Sequence, residues 1–305
     1  MRSPSPPSPR FERHRRRPWG RGVGWRGAVL LGLLGAGLWA ALVLRLDPRD
    51  LVPGPGGLAL AEDFLSRSWR PALTYEAEFV PEGTPPLALK VATAARTTVV
   101  FAAAATSIAL LGGLLLGCLA STAWWLEDPV GGRGRLQRFF RTSIAPLLYG
   151  GTRVLITLMR SLHELLWAVL FLAAFGLSNF AAVLAIAIPY TGTLAKVFSE
   201  ILDETPREGA RALRAAGASP AQVFLFGLFP QALPDLSAYA LYRFECALRS
   251  SAVLGFFGYP TLGYYLSASF ENLHFGEVWT YLYALVGLVL VVDWWSGALR
   301  RRFLP

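Results

Sequence analysis

Three ionisable residues lie inside one apolar segment of the chain, and they are the first candidates for chemistry. Arg243, Glu245 and Arg249 fall within a stretch that is predicted to cross a membrane. Charges at membrane depth are costly, so they usually face a cavity or a partner. Glu245 and Arg249 are four residues apart in the favourable acid-first order, so the alternative is that they neutralise each other. Arg243 has no obvious partner on its own helix, and its guanidinium could bind two oxygens of an anion at once.

A second charged group interrupts another apolar stretch. Arg160, His163 and Glu164 lie between residues 144–159 and 165–177, where the hydrophobic pattern breaks. We interpret this group as a cytoplasmic-side gate or a guide for an anion. The alternative is that it anchors helix ends at the membrane interface.

The sequence has no pattern typical of making or breaking covalent bonds. It contains neither H-E-x-x-H nor G-x-S-x-G, and no Walker A pattern G-x-x-x-x-G-K-[ST]. His14, His163 and His274 are scattered, and Cys118 and Cys246 fall in apolar segments, where buried small hydrophobes are expected. We therefore expect no catalytic residue, metal or cofactor. An intramembrane enzyme is the alternative, and it would need a clustered nucleophile, base or metal site.

The composition is that of an all-α, polytopic membrane protein. Of the 305 residues, 54% are hydrophobic and 16% are charged, and the mean hydropathy is +0.43. The apolar residues come in long blocks, which soluble proteins of this size do not have. The net charge of +9 would suit a nucleic-acid-binding protein, but the arginines cluster beside apolar segments, as membrane orientation requires. We expect contact with membrane lipid and no nucleic-acid partner.

The apolar blocks predict about six transmembrane helices with both chain ends in the cytoplasm, because cytoplasmic loops carry an excess of Lys and Arg. A disordered basic tail over residues 1–26 precedes an anchor within 27–46, and residues 47–90 form a long extracytoplasmic loop. Asp293 is expected to pair with the terminal arginine cluster. The predicted spans cover residues 28–46, 91–120, 165–177, 180–201, 232–254 and 278–299.

A short polar helix is predicted after the fourth span, over residues 205–217. Thr205 can N-cap it, Glu208 sits where a capping box places an acid, and Gly217 supplies a left-handed stop. About eleven helical residues at ~1.5 Å each are too few to cross a bilayer. The helix is therefore expected to lie on the membrane surface, where a soluble partner can bind it.

The residues after this helix contain both a signal that starts a helix and prolines that are expected to break one. Ser219 and the proline after it are predicted to begin another helix by the same capping logic. Pro230 and Pro234 are expected to break any continuous helix, and so to divide an interfacial piece over 221–229 from the fifth span.

Three arginines give the short polar helix one basic face. Arg207, Arg211 and Arg214 recur at spacings of four and three, while Ala210 and Leu213 fall on another face. From the residues alone two interpretations are open: the helix binds anionic lipid, or it docks onto a soluble protein.

Four segments of the chain carry a resemblance. One is the run from Arg211 to Gly217 with Pro230 and the pair Leu233-Pro234 beyond it. The other three are RSLHELLWAVLF (160–171), YRFECALRSSAVLGFFG (242–258) and VVDWWSGALRRR (291–302). The first resembles the EAA loop of ABC-importer permeases, and the others are similar to the phosphonate (PhnE-type) branch of that family.

The resemblance covers roughly residues 90–305 and implies a binding-protein-dependent, MetI-like ABC permease domain over 91–305. In that family the EAA loop is a coupling helix that docks in a cleft of a cytoplasmic ATPase. The implied partners are ATPase subunits, an extracytoplasmic solute-binding protein, and a second copy or a paralogous permease, in a bacterial inner membrane. The implied coupling residues are Arg207, Glu208, Arg211, Ala212, Arg214 and Gly217.

The resemblance also implies inward transport of a phosphonate or a related phosphorus oxyanion such as phosphate or phosphite. Arg243, with Glu245, Arg249, Arg160 and Glu164, is then expected to line the substrate path, since a phosphorus oxyanion suits a guanidinium fork. A permease for an unrelated small solute and a non-transporting assembly subunit are the alternatives.

The chain departs from the family pattern at two places. Arg211 stands where the EAA loop carries its glutamate, and Glu208 lies one turn earlier on a similar face. The Gly-rich stretch before the last span is replaced by Gly-Tyr-Pro-Thr-Leu-Gly over residues 258–263. We expect this segment to form a gate loop through Gly258, Tyr259, Pro260 and Gly263.

Overall fold

The computed structural model describes residues 25–47, 54–125 and 143–303, and the regular secondary structure in these ranges is helical. The predicted tail over residues 1–26 lies outside the described residues except for its last two. The chain divides into two compact units, Met1–Ala61 and Glu62–Pro305. The α-helices are α1 (Trp25–Val43), α2 (Pro55–Ser66), α3 (Leu87–Ala120), α4 (Thr122–Trp125), α5 (Ala145–Ser161), α6 (Glu164–Phe175), α7 (Asn179–Glu204), α8 (Glu208–Ala215), α9 (Pro220–Gln222), α10 (Phe229–Val253), α11 (Leu262–Glu271) and α12 (Phe275–Phe303).

In the first unit, α1 corresponds to the predicted N-terminal anchor, and its apolar side chains are exposed along its length. Leu34 and Leu42 are 71% and 72% exposed. The apolar part, Gly27–Val43, is shorter than a full span by length and composition. Its ~17 residues extend over about 26 Å, close to the ~30 Å of a bilayer core. The exposed leucines suit a helix surrounded by lipid.

Among the described residues, three helices are long and apolar enough to cross a membrane: α3, α7 and α12. Helices α5 and α6 pass the same test as a pair but are bent by 89°. Helix α10 has 25 residues, but it carries Asp235, Arg243, Glu245 and Arg249, which lower its hydropathy. The predicted all-α, polytopic fold is confirmed, and the number of six crossings stays a prediction.

The core of the second unit forms where α3 and α7 approach each other closely. A Cβ atom on Gly113 would lie 2.6 Å from Leu194 Cβ, and one on Gly117 would lie 2.9 Å from Phe198 Cβ. Leu194 and Phe198 are fully buried. Because the two glycines are four residues apart, they share one helix face and form a small-residue seam. This seam fixes the position of α7, which contributes to the site described below.

The predicted break between α5 and α6 is confirmed, and it lies beside the middle of α7. His163 is the N-cap of α6, and its Nδ1 accepts a hydrogen bond from the backbone N–H of Leu165 at 3.3 Å. Near this corner α5 presses on Gly192, where an added Cβ would lie 2.9 Å from Met159 Cβ. Gly192 stands in the middle of the 26-residue α7. Helix α5 is ~25 Å long, which is enough for it to reach the level of Gly192 along α7.

The predicted helix break at Pro230 and Pro234 is wrong. Helix α10 continues through both residues, with Pro230 in its first turn and Pro234 inside it. A proline in the first turn removes no helical hydrogen bond, because the N–H groups there have no partner within the helix. Pro234 removes a single bond of the ladder, which a long, packed helix tolerates. The residues just before α10, Val223–Leu228, form a π-helical turn rather than a separate interfacial helix.

Residues 62–86, predicted as part of a long loop, form an ordered segment that is anchored to α12. The backbone N–H of Glu76 donates to Glu277 Oε1 at 2.8 Å. The ring N–H of Trp279 donates to the carbonyl oxygen of Phe64 at 2.7 Å. The partners are about 200 residues apart in sequence, so no local pattern could have indicated the order of this segment.

Candidate functional site

A cavity of about 300 Å³ lies at the corner between α5 and α6, beside the middle of α7. Arg160, Glu164 and Arg243, three of the five residues predicted to line a path, meet there although they come from three different elements. The two guanidinium groups outnumber the one carboxylate, so the cavity favours an anion. The lining residues are Arg160, Ser161, Leu162, His163, Glu164, Pro189, Tyr190, Thr193 and Arg243.

Arg243 is held in this cavity by an aromatic ring. Its Cζ atom lies 4.7 Å from the centroid of the Tyr190 ring, a cation–π geometry. Its Nε atom is buried and has no hydrogen-bond partner in the described part of the chain. A buried donor without a partner is costly. The side chain therefore keeps a buried donor that a ligand could use.

A chain of hydrogen bonds connects Tyr190 to the α5–α6 corner. The Tyr190 hydroxyl lies 3.0 Å from Ser250 Oγ, and Ser250 Oγ donates to Glu164 Oε1 at 2.9 Å. The other oxygen of Glu164 lies 3.6 Å from His163 Nε2. Within the described residues, the carboxylate of Glu164 thus contacts Ser250 and His163 rather than the arginines of the cavity.

Glu245 and Arg249 do not line this cavity, and the alternative in which they neutralise each other is wrong. Glu245 is buried, and its Oε1 accepts a hydrogen bond from Arg300 at 3.1 Å. Arg300 also lies 3.9 Å from Asp293, which confirms the predicted pairing of Asp293 with the terminal arginines. Arg249 is exposed and contacts Cys246 Sγ at 3.6 Å. The cation that neutralises Glu245 comes from α12, so spacing within α10 could not reveal it.

The predicted gate loop is a tight turn between α10 and α11. Gly258 has φ +93°, a left-handed conformation that favours glycine. A Cβ atom on Gly263 would lie 2.0 Å from the carbonyl oxygen of Ala252, so no larger residue fits there. Tyr259 is buried, and its ring lies 5.9 Å from that of Phe101 on α3. The turn is therefore held firmly against the core. Its role as a gate stays a prediction.

The predicted short polar helix is present as α8, but it begins later than expected. Thr205 does not cap it, because its hydroxyl donates to the carbonyl oxygen of Ile201 at the end of α7. Helix α8 begins at Glu208, and no side chain caps its start. The predicted stop is confirmed, since Gly217 has φ +88°. The predicted helix start at Ser219 is also confirmed, with a capping box to Gln222.

One face of α8 is packed and the opposite face is exposed. Ala210 is buried against the π-helical turn, where a Cβ atom on Gly227 would lie 3.2 Å from Ala210 Cα. Glu208, Arg211 and Ala212 are exposed, whereas Arg207 and Arg214 are half-buried. The exposed face therefore presents Arg211 with Glu208 one turn before it, which is a mixed rather than a purely basic surface.

A carboxylate that no sequence pattern singled out joins the end of α7 to three other helices. Asp203, five residues before α8, accepts hydrogen bonds from Ser121 Oγ at 2.7 Å and from the backbone N–H of Thr122 at 2.8 Å. It also accepts from the Thr122 hydroxyl and lies 3.9 Å from Arg153. The ends of α3, α4 and α7 and the side of α5 thus meet at one residue.

Comparison with known proteins extends these observations. Residues 141–305 match the family described as "Binding-protein-dependent transport system inner membrane component". The chain is 36% identical over 162 residues to the phosphite transport system permease protein PtxC of Stutzerimonas stutzeri, covering 53% of this chain and 59% of that protein. It is 28% identical over 232 residues to the phosphate-import permease protein PhnE of Mycolicibacterium smegmatis, covering 76% and 40%. The chain thus spans less than two thirds of the length of these relatives.

A solved structure shares the fold. The MetNI methionine ABC transporter in an inward-facing conformation superposes with a TM-score of 0.58 at 20% identity, over 73% of this chain and the whole of that chain. At this identity the likeness concerns the fold alone. With the family match over more than half of the chain, it leads to one conclusion: the chain belongs to the family of binding-protein-dependent transport system inner membrane components and has a MetI-like ABC permease fold.

Proposed function

We propose that the chain is the membrane-spanning permease subunit of an ABC importer that moves phosphonate or a related phosphorus oxyanion, such as phosphate or phosphite, into the cell. Relatives named for phosphite and phosphate transport support the substrate class. ATP hydrolysis would occur in separate ATPase subunits. A solute-binding protein would deliver the oxyanion from the outer side, and a second copy or a paralogous permease would complete the path.

The observation that carries this proposal is the central cavity with Arg243. Its guanidinium has an unused buried donor, and Arg160 supplies a second guanidinium on the same cavity. Planar guanidinium forks match the oxygens of phosphorus oxyanions, and each bond gains strength from the charge. The hydroxyls of Ser161 and Thr193 also line the cavity, but they donate to the carbonyl oxygens of Leu158 and Pro189, so the guanidinium groups are the donors for the ion. The cavity of about 300 Å³ accommodates such a small ion together with water.

The position of the cavity suits a transport path. Tyr190 is about 16 Å along α7 from Asn179 and about 21 Å from Glu204, taking ~1.5 Å per residue. The cavity is therefore far from either end of a helix that is long enough to span the membrane. The bend of 89° between α5 and α6 brings polar backbone and charged side chains to that depth. Irregular backbone is tolerated at membrane depth only where it lies in protein or lines a cavity.

We infer that α8 is the coupling helix, and that it faces the cytoplasm. Its exposed face, with Glu208, Arg211 and Ala212, would dock on the ATPase. Its buried face would transmit the movement, because Ala210 contacts the π-helical turn that continues directly into α10, which carries Arg243. Asp203 would transmit the same movement to α3 and α5. In this arrangement both chain ends lie in the cytoplasm and the segment over residues 62–86 lies outside.

The proposal is tested by transport in reconstituted vesicles. The chain, its ATPase subunits and its solute-binding protein are combined in proteoliposomes, and ATP-dependent uptake of radiolabelled phosphite and phosphate is measured. Arg243→Ala is expected to lower uptake at least ~10-fold, since it removes charge-assisted hydrogen bonds to the ion. Arg243→Lys is expected to retain part of the uptake, because it keeps the charge and loses the fork.

Arg249→Ala is the matched control, since it removes the same kind of charge from the same helix outside the cavity. It is expected to transport like the unaltered chain. Unchanged uptake by an assembled Arg243→Ala transporter would remove Arg243 from the path. Import of an amino acid in preference to any phosphorus oxyanion would contradict the substrate class.

A further inference from the structure

A second cavity, of about 410 Å³, lies between α3, α7 and the turn that contains Gly258. Its polar lining consists of Thr93, Arg96 and Thr97 on α3 and Asn179 at the start of α7. Pro260, from the turn itself, closes one side. The lining contains a guanidinium, two hydroxyls and an amide, and no acidic side chain. The Arg96 guanidinium and the Asn179 amide can donate hydrogen bonds, as an oxyanion requires. The hydroxyls of Thr93 and Thr97 already donate to the carbonyl oxygens of Lys90 and Thr93.

Arg96 is exposed, and it makes no hydrogen bond or ion pair to any residue in the described ranges. The nearby Lys90, in contrast, makes cation–π contacts within the protein. Its Nζ lies 5.0 Å from the centroid of the Tyr75 ring and 4.8 Å from that of the Tyr265 ring. A cation on a spanning helix normally faces a cavity or a partner, because lipid would not solvate it. Arg96 faces the cavity.

The cavity belongs to the outer half of the molecule in the proposed orientation. Arg96 is about 36 Å along α3 from Ala120 at ~1.5 Å per residue, whereas a bilayer core is ~30 Å thick. Its guanidinium therefore lies at the outer boundary of the core, where water and solutes reach it. Along α7, Asn179 precedes Tyr190 of the central cavity by about 16 Å. The two arginine cavities thus lie at two depths along the same helix.

The turn beside the outer cavity gives it a defined place in a transport cycle. Phe101 lines the cavity and also contacts the buried ring of Tyr259. The residue after Tyr259 is Pro260, which faces the cavity. A ligand at Arg96 would therefore touch the same turn that is predicted to form the gate, so binding of the ligand and a movement of the turn would be coupled.

We propose that the outer cavity is a first binding site for a phosphorus oxyanion, in which Arg96 binds two oxygens while the side-chain amide of Asn179 binds a third. This inference rests on the proposed function and adds a second site to it: the ion binds at Arg96 on the outer side and moves to Arg243 when the turn opens. The phosphate group of a lipid headgroup has the same chemistry, so the experiment separates a lipid from the free ion.

The experiment measures equilibrium binding of radiolabelled inorganic phosphate and phosphite to the purified full chain in phosphatidylcholine nanodiscs. The unaltered chain is expected to bind two ions per chain. Arg96→Gln is expected to weaken one of the two sites at least ~10-fold, since bonds from a charged donor are lost. Arg243→Gln is expected to weaken the other. Lys90→Gln is the matched control: it removes an equal charge six residues away and is expected to leave both sites intact.

Three results would overturn this inference. One is binding by Arg96→Gln that equals that of the unaltered chain, with the same thermal unfolding temperature for both. Another is a lipid that co-purifies with the unaltered chain but not with Arg96→Gln while phosphate binding stays the same, which would assign Arg96 to a headgroup. The third is no binding of phosphate or phosphite at either Arg96 or Arg243, and that result would contradict the proposed function as well. Weakened binding at one site in Arg96→Gln, with both sites intact in Lys90→Gln, supports the outer site.

Discussion

The junction at Asp203 gives the sharpest prediction on the coupling region. Its carboxylate accepts from Ser121 Oγ, from the backbone N–H of Thr122 and from the Thr122 hydroxyl, all within 2.8 Å. Asp203→Ala removes the acceptor of all three bonds. Asp203→Asn keeps an amide oxygen in the same place and removes only the charge. The two variants therefore separate the loss of an acceptor from the loss of a charge.

The expected magnitude follows from these contacts. Loss of a helix cap costs about 1 kcal/mol, and each hydroxyl bond to a carboxylate contributes about 1.5–3 kcal/mol when it is buried. The Asp203 side chain is 22% exposed, so the lower end applies. Asp203→Ala loses the cap and two hydroxyl bonds and is therefore expected to lower the free energy of unfolding by about 4 kcal/mol. Asn caps about as well as Asp, so Asp203→Asn is expected to cost only about 1 kcal/mol.

The assay is unfolding of the purified full chain in nanodiscs, followed by tryptophan fluorescence. Asp293→Ala is the matched control, because its side chain is 61% exposed and 3.9 Å from its cation. An exposed ion pair at that distance contributes about 0–1 kcal/mol. If Asp203→Ala proved as stable as Asp293→Ala, or if Asp203→Asn proved as unstable as Asp203→Ala, Asp203 would not be the junction described here.

Two further predictions use the same unfolding assay. Gly113→Ala is expected to destabilise the chain by about 1–3 kcal/mol, because Leu194 Cβ cannot move away from the new methyl group. Gly287→Ala, at a position with open space, is the control and is expected to be neutral or slightly stabilising. Equal losses of stability in the two variants would contradict the close approach of α3 and α7. Arg300→Gln is expected to cost about 3 kcal/mol, since it leaves the buried Glu245 carboxylate without its cation. Glu245→Gln is expected to cost less, since Arg300 is 30% exposed and keeps Asp293 nearby. The double variant is expected to cost less than the sum, and strict additivity would contradict the pairing.

The features that sequence reasoning predicted correctly are those that short stretches of chain determine. The stop of α8 at Gly217 and the start at Ser219 depend on one backbone conformation and one capping box. The break after Arg160 depends on a charged interruption of an apolar run. Each signal lies within about five residues, so no knowledge of the tertiary structure was needed.

The errors arose where one group could satisfy two partners. Thr205 can cap a following helix or bond back to the preceding one, and packing at the end of α7 selects the second. Pro230 and Pro234 break an isolated helix, but here a π-helical turn precedes them and the helix continues. Glu245 had a suitable cation four residues away, yet its partner is Arg300 on another helix.

The candidate site was only partly visible in the sequence. We identified Arg160, Glu164 and Arg243 because charged residues at membrane depth are costly and usually face a cavity or a partner. Their meeting in one cavity depends on the close approach of α3 and α7, which fixes α7 in place, and on the bend between α5 and α6. Arg96 and Asp203 attracted no attention, since an arginine near a helix start and an aspartate near a helix end are ordinary surface residues in sequence.

The central claim is that α8 faces the cytoplasm, where an ATPase can move it. It is tested most directly by labelling Arg211→Cys, on the exposed face of α8, with a membrane-impermeant thiol reagent in a background that carries Cys118→Ala and Cys246→Ala. If α8 faces the cytoplasm, the cysteine is labelled strongly in inverted membrane vesicles, bound ATPase subunits protect it from the reagent, and it is not labelled in right-side-out vesicles. Labelling from the outer side alone would contradict the orientation and the coupling mechanism built on it.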